Sequence, residues 1–367
     1  MKPLALYAFC ALLFSCSTAE KSQVPIEIDL KELISDTLYL EKDSITKDLG
    51  SDFSLVNTDS GSYLFTFRRH TLYQYSYPEG KIVNKTKFEN EGPDGIGGFI
   101  SGYLIDDGSI YFISNNKWIE ANFAGKVLER TNLPEATPAR LAVNYSTFPF
   151  NRIYKIGEEF LISDVPFVLK ESLLDYENWI LKFDPNSKKV GHISFRYPES
   201  HHRLLDDQTF APFNHTLNIE TAEFVISFPA TDSLLILSEG TEKWVSAAPK
   251  ESMKFIKGTT EQAGEWTVFH PSEESSYYSW VHFEPLSKSY LRLSAITPKS
   301  DESQKQGVKP LTKLLVLDAA FEKKAEVTLH DKLSGFQTPK GFYIRLGYIS
   351  GEDEVAFGRM DFSKINP

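Results

Sequence analysis

Apolar and polar residues alternate with a period of two, in short runs, along this 367-residue chain. Tyr73, Tyr75 and Tyr77 fall on one face of such a run; so do Ile193, Phe195 and Tyr197, with His192, Ser194 and Arg196 opposite. Phe342, Ile344, Leu346 and Tyr348 repeat the pattern near the C-terminus. Successive strand side chains point to opposite sheet faces, so this period predicts half-buried strands. No 3.6-residue period is sustained over a dozen positions after Leu33. Turn-forming stretches separate the runs: "PEGK" at Pro78, "DDGS" at Asp106, "AGK" at Ala124, "PNSKK" at Pro185 and "PKG" at Pro339. The prediction is an all-β fold.

A weak internal repeat narrows the architecture. One unit, "GYLIDDGSIYFISNNKWIEANFAGKVLERTNL", reads as strand, Asp-Gly turn, strand, short loop, strand, Gly turn, strand. Its third strand, "WIEANF" at Trp118, has counterparts in "LYQYSY" at Leu72, "WILKFD" at Trp179, "LLILSE" at Leu234, "LVLDA" at Leu315 and "VAFGRMDF" at Val355. Six four-stranded units at intervals of roughly 40 to 80 residues imply radial repetition, a β-propeller. A seventh blade fits only if the segment after Ala247 hides one. The last unit lacks a fourth strand, so "PIEIDL" or "DTLYLE" near the N-terminus is expected to close the ring.

The apolar run from Pro3 to Phe14 is too short to span a bilayer, which takes roughly 20 residues. With Lys2 before it and Ser15 after it, it reads as a secretory signal. Leu13, Phe14, Ser15 and Cys16 resemble the lipobox of bacterial lipoproteins, which implies lipidation of Cys16; the competing reading is cleavage near Ala19. Residues 1–15 are then signal peptide, 16–24 a lipidated N-terminus and linker, and 25–367 one propeller domain. The expected location is the cell envelope, as an outer-membrane lipoprotein on either side of that membrane. Cys10 and Cys16 are the only cysteines, so none is left for a disulfide, a metal thiolate or a nucleophile.

A net charge of −11 disfavours nucleic acid as a partner, because phosphates call for a basic surface. Aromatic residues make up 13% of the chain, which suits pleated sheets. Sequence motifs for phosphate-binding loops, zinc hydrolases and serine hydrolases are missing, and no cofactor is expected.

The fragment "ENEGPDGIGGFISGYLIDDGSIYFISNN" is similar to a blade junction in six-bladed β-propeller lipoproteins of Bacteroidota. Length, lipobox and blade count resemble a domain-of-unknown-function family of that phylum, DUF4221-like. The resemblance implies fold and anchoring and hands over no catalytic residue.

In a propeller, turns between strands one and two and between three and four open on one face; all other links open on the opposite face. The long insertions, 164–178, 198–214, 247–276 and 298–310, all belong to the second set. Binding residues concentrate on loops carried by a rigid scaffold, so that face is the expected site. The candidates are Arg68, Arg69 and His70, for a carboxylate or phosphate; Asp94, as an acceptor; His201 and His202 in "HHRLLDD"; and Trp266 and His270, for stacking. Each has a plainer reading: a charged turn, a glycine-rich turn, a solvated loop, and a strand fragment covering the propeller edge. The expected function is non-catalytic binding of a protein or glycan. The alternative is a sugar or lactone hydrolase or lyase, calcium-dependent in one form, for which Asp94, Glu223, Glu284 and Asp361 are the carboxylates on offer.

Overall fold

The computed structural model describes residues 24–45, 49, 52–106, 108–137, 140, 142–147, 151–297, 310–329 and 334–365. Cys16 and the polar stretch beginning at Ser300 lie outside them. The chain enters through β1 (Ile26–Asp29), one helical turn α1 (Leu30–Leu33) and β2 (Ile34–Glu41). Blade 1 is β3 (Ser54–Thr58), β4 (Gly61–Arg68), β5 (Thr71–Ser76) and β6 (Ile82–Lys87). Blade 2 is β7 (Gly102–Asp106), β8 (Ser109–Ser114), β9 (Lys117–Asn122) and β10 (Val127–Asn132). Blade 3 is β11 (Tyr154–Ile156), β12 (Glu159–Ser163), β13 (Ile180–Asp184) and β14 (Lys189–Ile193). Blade 4 is β15 (Asn214–Asn218), β16 (Glu223–Ser227), β17 (Ser233–Ser238) and β18 (Thr241–Ser246). After a separate hairpin, β19 (Thr259–Ala263) and β20 (Trp266–His270), blade 5 is β21 (Tyr277–Glu284), β22 (Ser289–Ile296), β23 (Leu311–Leu317) and β24 (Lys323–Leu329). Blade 6 is β25 (Gly335–Thr338), β26 (Gly341–Arg345) and β27 (Glu354–Met360).

Both N-terminal segments are used. β2 pairs antiparallel with β27 and supplies the fourth strand of blade 6, as "DTLYLE" predicts. β1 joins the outer edge of blade 5, parallel to β24, as a fifth strand. Each predicted third strand is a third strand, and the segment after Ala247 holds the β19–β20 hairpin rather than a seventh blade. Two runs end sooner than their alternation suggests. Phe195 and Tyr197 are buried on the link after β14, and beyond β26 the chain bends at Leu346, leaving Tyr348 exposed.

The core is a set of six seams between neighbouring blades. Phe67, Phe88 and Phe112 fill the seam of blades 1 and 2; Trp118, Phe160 and Phe183 that of blades 2 and 3. In the closing seam Leu38 and Leu40 of β2 pack with Tyr75, Phe336 and Phe357. Gly80 (φ +70°) seals it: its carbonyl accepts from the Glu41 amide at 2.9 Å, and a Cβ there would lie 1.8 Å from the Tyr39 carbonyl oxygen. Leu30 and Leu33 of α1 bury themselves against Met360, Phe362 and Ile365, at about 2 kcal/mol each. The first strands are innermost; β15 contacts β21, and β3 contacts both β25 and β7, around the central axis.

Candidate functional site

The described parts of the links 133–153, 164–179, 194–213 and 247–276 run between blades or from a second to a third strand, so the topology puts them on one face. That face carries exposed apolar side chains on several of its links: Phe99 (68% exposed), Phe167 (70%), Ile256 and Trp266 (78%). Trp266 belongs to β20, and nearly every residue of the β19–β20 hairpin is exposed. The hairpin forms a two-stranded sheet joined to no blade, which corrects the expectation of an edge-covering strand. Its base is tethered: the Gly258 amide donates to Asp207 Oδ2 at 2.6 Å, and the Ile256 amide to Ser275 Oγ at 3.0 Å.

A second feature lies where the inner strands begin on this face. Asp52 lies two residues before the blade 1 inner strand, β3, and Arg152 two residues before that of blade 3, β11. Arg152 Nη2 is 3.5 Å from Asp52 Oδ1, and about a third of each side chain is open (32% and 33%). Tyr103 of blade 2 lies between them and donates its hydroxyl to the Asp52 carbonyl at 3.2 Å. The Arg152 charge also acts on His282 of blade 5, across the ring. Side chains from blades 1, 3 and 5 influence one another this way only near the axis. Partial burial raises the Asp52 carboxyl above the usual carboxylate range, against the pull of Arg152 and of the Phe53 amide.

Further along the channel the polar groups are saturated. Gln337 donates its amide to Glu284 Oε1 (2.9 Å) and to the Thr338 carbonyl (2.8 Å), so its oxygen accepts the Nε2 proton of His282 at 3.1 Å. His282 stacks on Trp280, and burial lowers it to about 3, with Arg152 adding to the effect. Thr216 of blade 4 accepts from the Phe283 amide and from the Tyr154 hydroxyl.

The sequence-derived candidates do not converge. Arg69 and His70 form the two-residue β4–β5 turn with φ of 48° and 59°, and line a shallow cavity of about 440 Å³ with Lys87, Phe88, Glu89, Asn90 and Glu91. His70 Nε2 is 2.7 Å from the Gly97 carbonyl, and Arg68 donates to the Leu49 carbonyl. Asp94 accepts from the Val127 amide at 3.1 Å, so it ties the glycine-rich turn to blade 2. His201 and His202 part company: His201 is fully buried against Tyr197 and Phe228, and His202 is exposed. In the same motif Asp206 pairs with Lys170, and Asp207 accepts from the Thr209 amide as well as from Gly258. Among the described residues no three His, Cys, Asp or Glu side chains are grouped to hold a metal. His270 lies 3.4 Å from Glu261 on the exposed hairpin, away from any blade. Asp52, Arg152 and His282 escaped the sequence reading. Their common signal is position, at or just before an inner strand.

The ring and its axial cluster define a six-bladed β-propeller with a polar channel mouth among its long links. The chain belongs to the DUF4221 family: the model of that family, described as a domain of unknown function, matches residues 27–326. Among solved structures it is similar to a DUF4221 member from Bacteroides vulgatus ATCC 8482, with TM-score 0.68 and 16% identity over 89% of this chain and 96% of that one. It is also similar to a protein from Bacteroides fragilis NCTC 9343 whose description proposes export, with TM-score 0.54 and 10% identity over 92% and 98%. At these identities the likeness shows the fold. A search of curated proteins found no match.

Proposed function

We propose that the protein is an exported, lipid-anchored, non-catalytic binding module that takes a protein or glycan partner on its long-link face. The observation that carries this reading is the β19–β20 hairpin, held at its base and displaying Trp266 at 78% exposure. An isolated two-stranded hairpin is marginal in water, and an indole held out in solvent on it favours association. The carboxylates nominated for catalysis have other work. Glu284 accepts from the Leu286 and Ser287 amides, the Ser287 hydroxyl and Gln337; Asp361 caps the turn at Ser363; Glu223 accepts from Thr221 and Tyr290. Export and anchoring rest on the run Leu13 to Cys16 and, more loosely, on the description of the Bacteroides fragilis neighbour.

The test is site-specific photocrosslinking in the native envelope. Probes at Phe99, Phe167 and Trp266 are expected to capture a discrete species, and probes at Ile219 and Leu286, on the short-turn face, are not. Equal capture from both faces would sink the assignment. Lipid labelling that persists in Cys16→Ala would remove the anchor.

A further inference from the structure

The channel mouth carries a more specific reading, which rests on the proposal that this face is the binding face. Arg152 has five N–H donors, and its ion-pair contact among the described residues is one approach of 3.5 Å, longer than a good hydrogen bond. Asp52 offers acceptor oxygens beside it, with a third of its side chain open. The pair is not a closed bidentate bridge of the kind Arg140 makes with Asp164, whose two contacts are 3.0 Å each in a buried setting. Donor and acceptor capacity therefore remain side by side on the axis.

We propose that Asp52 and Arg152 bind a neutral sugar residue through two adjacent hydroxyls, one donating to the Asp52 carboxylate and its neighbour accepting from the Arg152 guanidinium. The charges of the pair cancel, so an anion gains Arg152 but meets Asp52, and a cation meets the reverse. A vicinal diol presents a donor and an acceptor at adjacent positions with no net charge, and it satisfies both groups together. Tyr103 packs its ring against Phe67 in the seam of blades 1 and 2 and donates its hydroxyl to the Asp52 carbonyl, which fixes the backbone that carries the carboxylate. The groups further along are already engaged: Tyr154 is held by Thr216, and His282 by Gln337, whereas Asp52 and Arg152 meet only at 3.5 Å. Sites of this kind pair a few placed polar groups with apolar walls.

The experiment is a glycan array probed with the purified full-length chain, followed by calorimetric titration with the best-bound neutral oligosaccharide. Asp52→Asn keeps side-chain size, Arg152→Gln leaves a shorter neutral polar side chain, and both are compared with Trp266→Ala, each checked by thermal melting. The expected result is binding to neutral glycans, weakened at least tenfold by Asp52→Asn and by Arg152→Gln with melting temperatures close to the parent. The proposal is overturned by no neutral glycan binding at millimolar concentration, by binding confined to anionic glycans, or by affinity unchanged from the parent in both channel variants. If the array is silent while photocrosslinks at Phe167 and Trp266 persist, the sugar site fails and the binding face stands with a protein as its partner.

Discussion

The guanidinium carbon of Arg292 sits over the ring of Tyr278, 3.5 Å from its centroid, with no part of the arginine exposed. Its nitrogens donate to Ser227 Oγ and to the Ala247 and Thr231 carbonyls at 3.0, 2.9 and 2.6 Å. Tyr278 in turn donates to Asp232 at 2.7 Å. One side chain of blade 5 thus ties the end of β16 to the approach to β17 and to the start of the link that carries the hairpin.

Lysine cannot reproduce that fork. Arg292→Lys is expected to lower stability by about 3 kcal/mol, read as a drop in urea midpoint with unchanged slope. A change below about 0.5 kcal/mol would show that the carbonyls find other donors.

Arg140 and Asp164 close a buried bidentate pair on the long-link face, and Asp164 also accepts from the Asn144 amide at 2.6 Å. Losing either partner alone leaves a buried charge, at about 3–5 kcal/mol. Arg140→Met combined with Asp164→Leu is expected to be much less damaging than the two single losses added together. Chemical denaturation of the four proteins in the cycle measures this; strict additivity would contradict it.

Acid should weaken the fold well before carboxylates protonate. His201, His215 and His282 are each lowered from 6.5 to about 3, chiefly by burial, so the folded chain holds them neutral. His201 Nε2 and His215 Nδ1 have no hydrogen-bond partner among the described residues, in keeping with neutral rings. Below pH 6.5 the unfolded chain binds the protons that the folded chain refuses. The stabilisation is complete above that pH and declines as pH falls toward 3. At pH 5.5 the loss is about 1.4 kcal/mol per histidine, about 4 kcal/mol for three. Asp52, raised by burial, acts in the opposite sense at lower pH. Melting temperature followed from pH 7.5 to 5 checks the sign, and His215→Gln should flatten part of the slope. A flat profile in the parent chain would contradict the prediction.

The hairpin should be dispensable for folding. Thr259 pairs with His270, so its ends are adjacent, and replacing residues 259–270 by two glycines should change stability by less than about 1 kcal/mol. The same deletion should abolish crosslinking from the hairpin face. A collapse in melting temperature would make it part of the core.

The architecture was legible because each blade repeats one local pattern. The third strands from "LYQYSY" to "VAFGRMDF" announce themselves by apolar runs between turns, and a missing fourth strand asks for an N-terminal partner. The parallel seat of β1 was less legible, since "PIEIDL" has no turn linking it to blade 5. Ring geometry brings Asp52, Arg152 and His282 together across spans of 100 and 130 residues, and no local pattern encodes such a meeting. The pair His201 and His202 misled for the opposite reason. Adjacency in sequence put one ring in the core and the other in water.

The parallel seat of β1 has a mechanical consequence. A pull on the chain at residue 24 is resisted first by the four-residue register from Ile26 against Ala325 to Asp29 against Thr328, helped by the approaches of Glu27 to Lys250 and Lys313. Only after that seat and the α1 turn have given way does tension reach β2, whose pairing with β27 keeps the ring shut. β1 therefore works as a sacrificial link: tension entering from the N-terminal side spends itself on a short strand at the rim of blade 5 while the propeller stays closed.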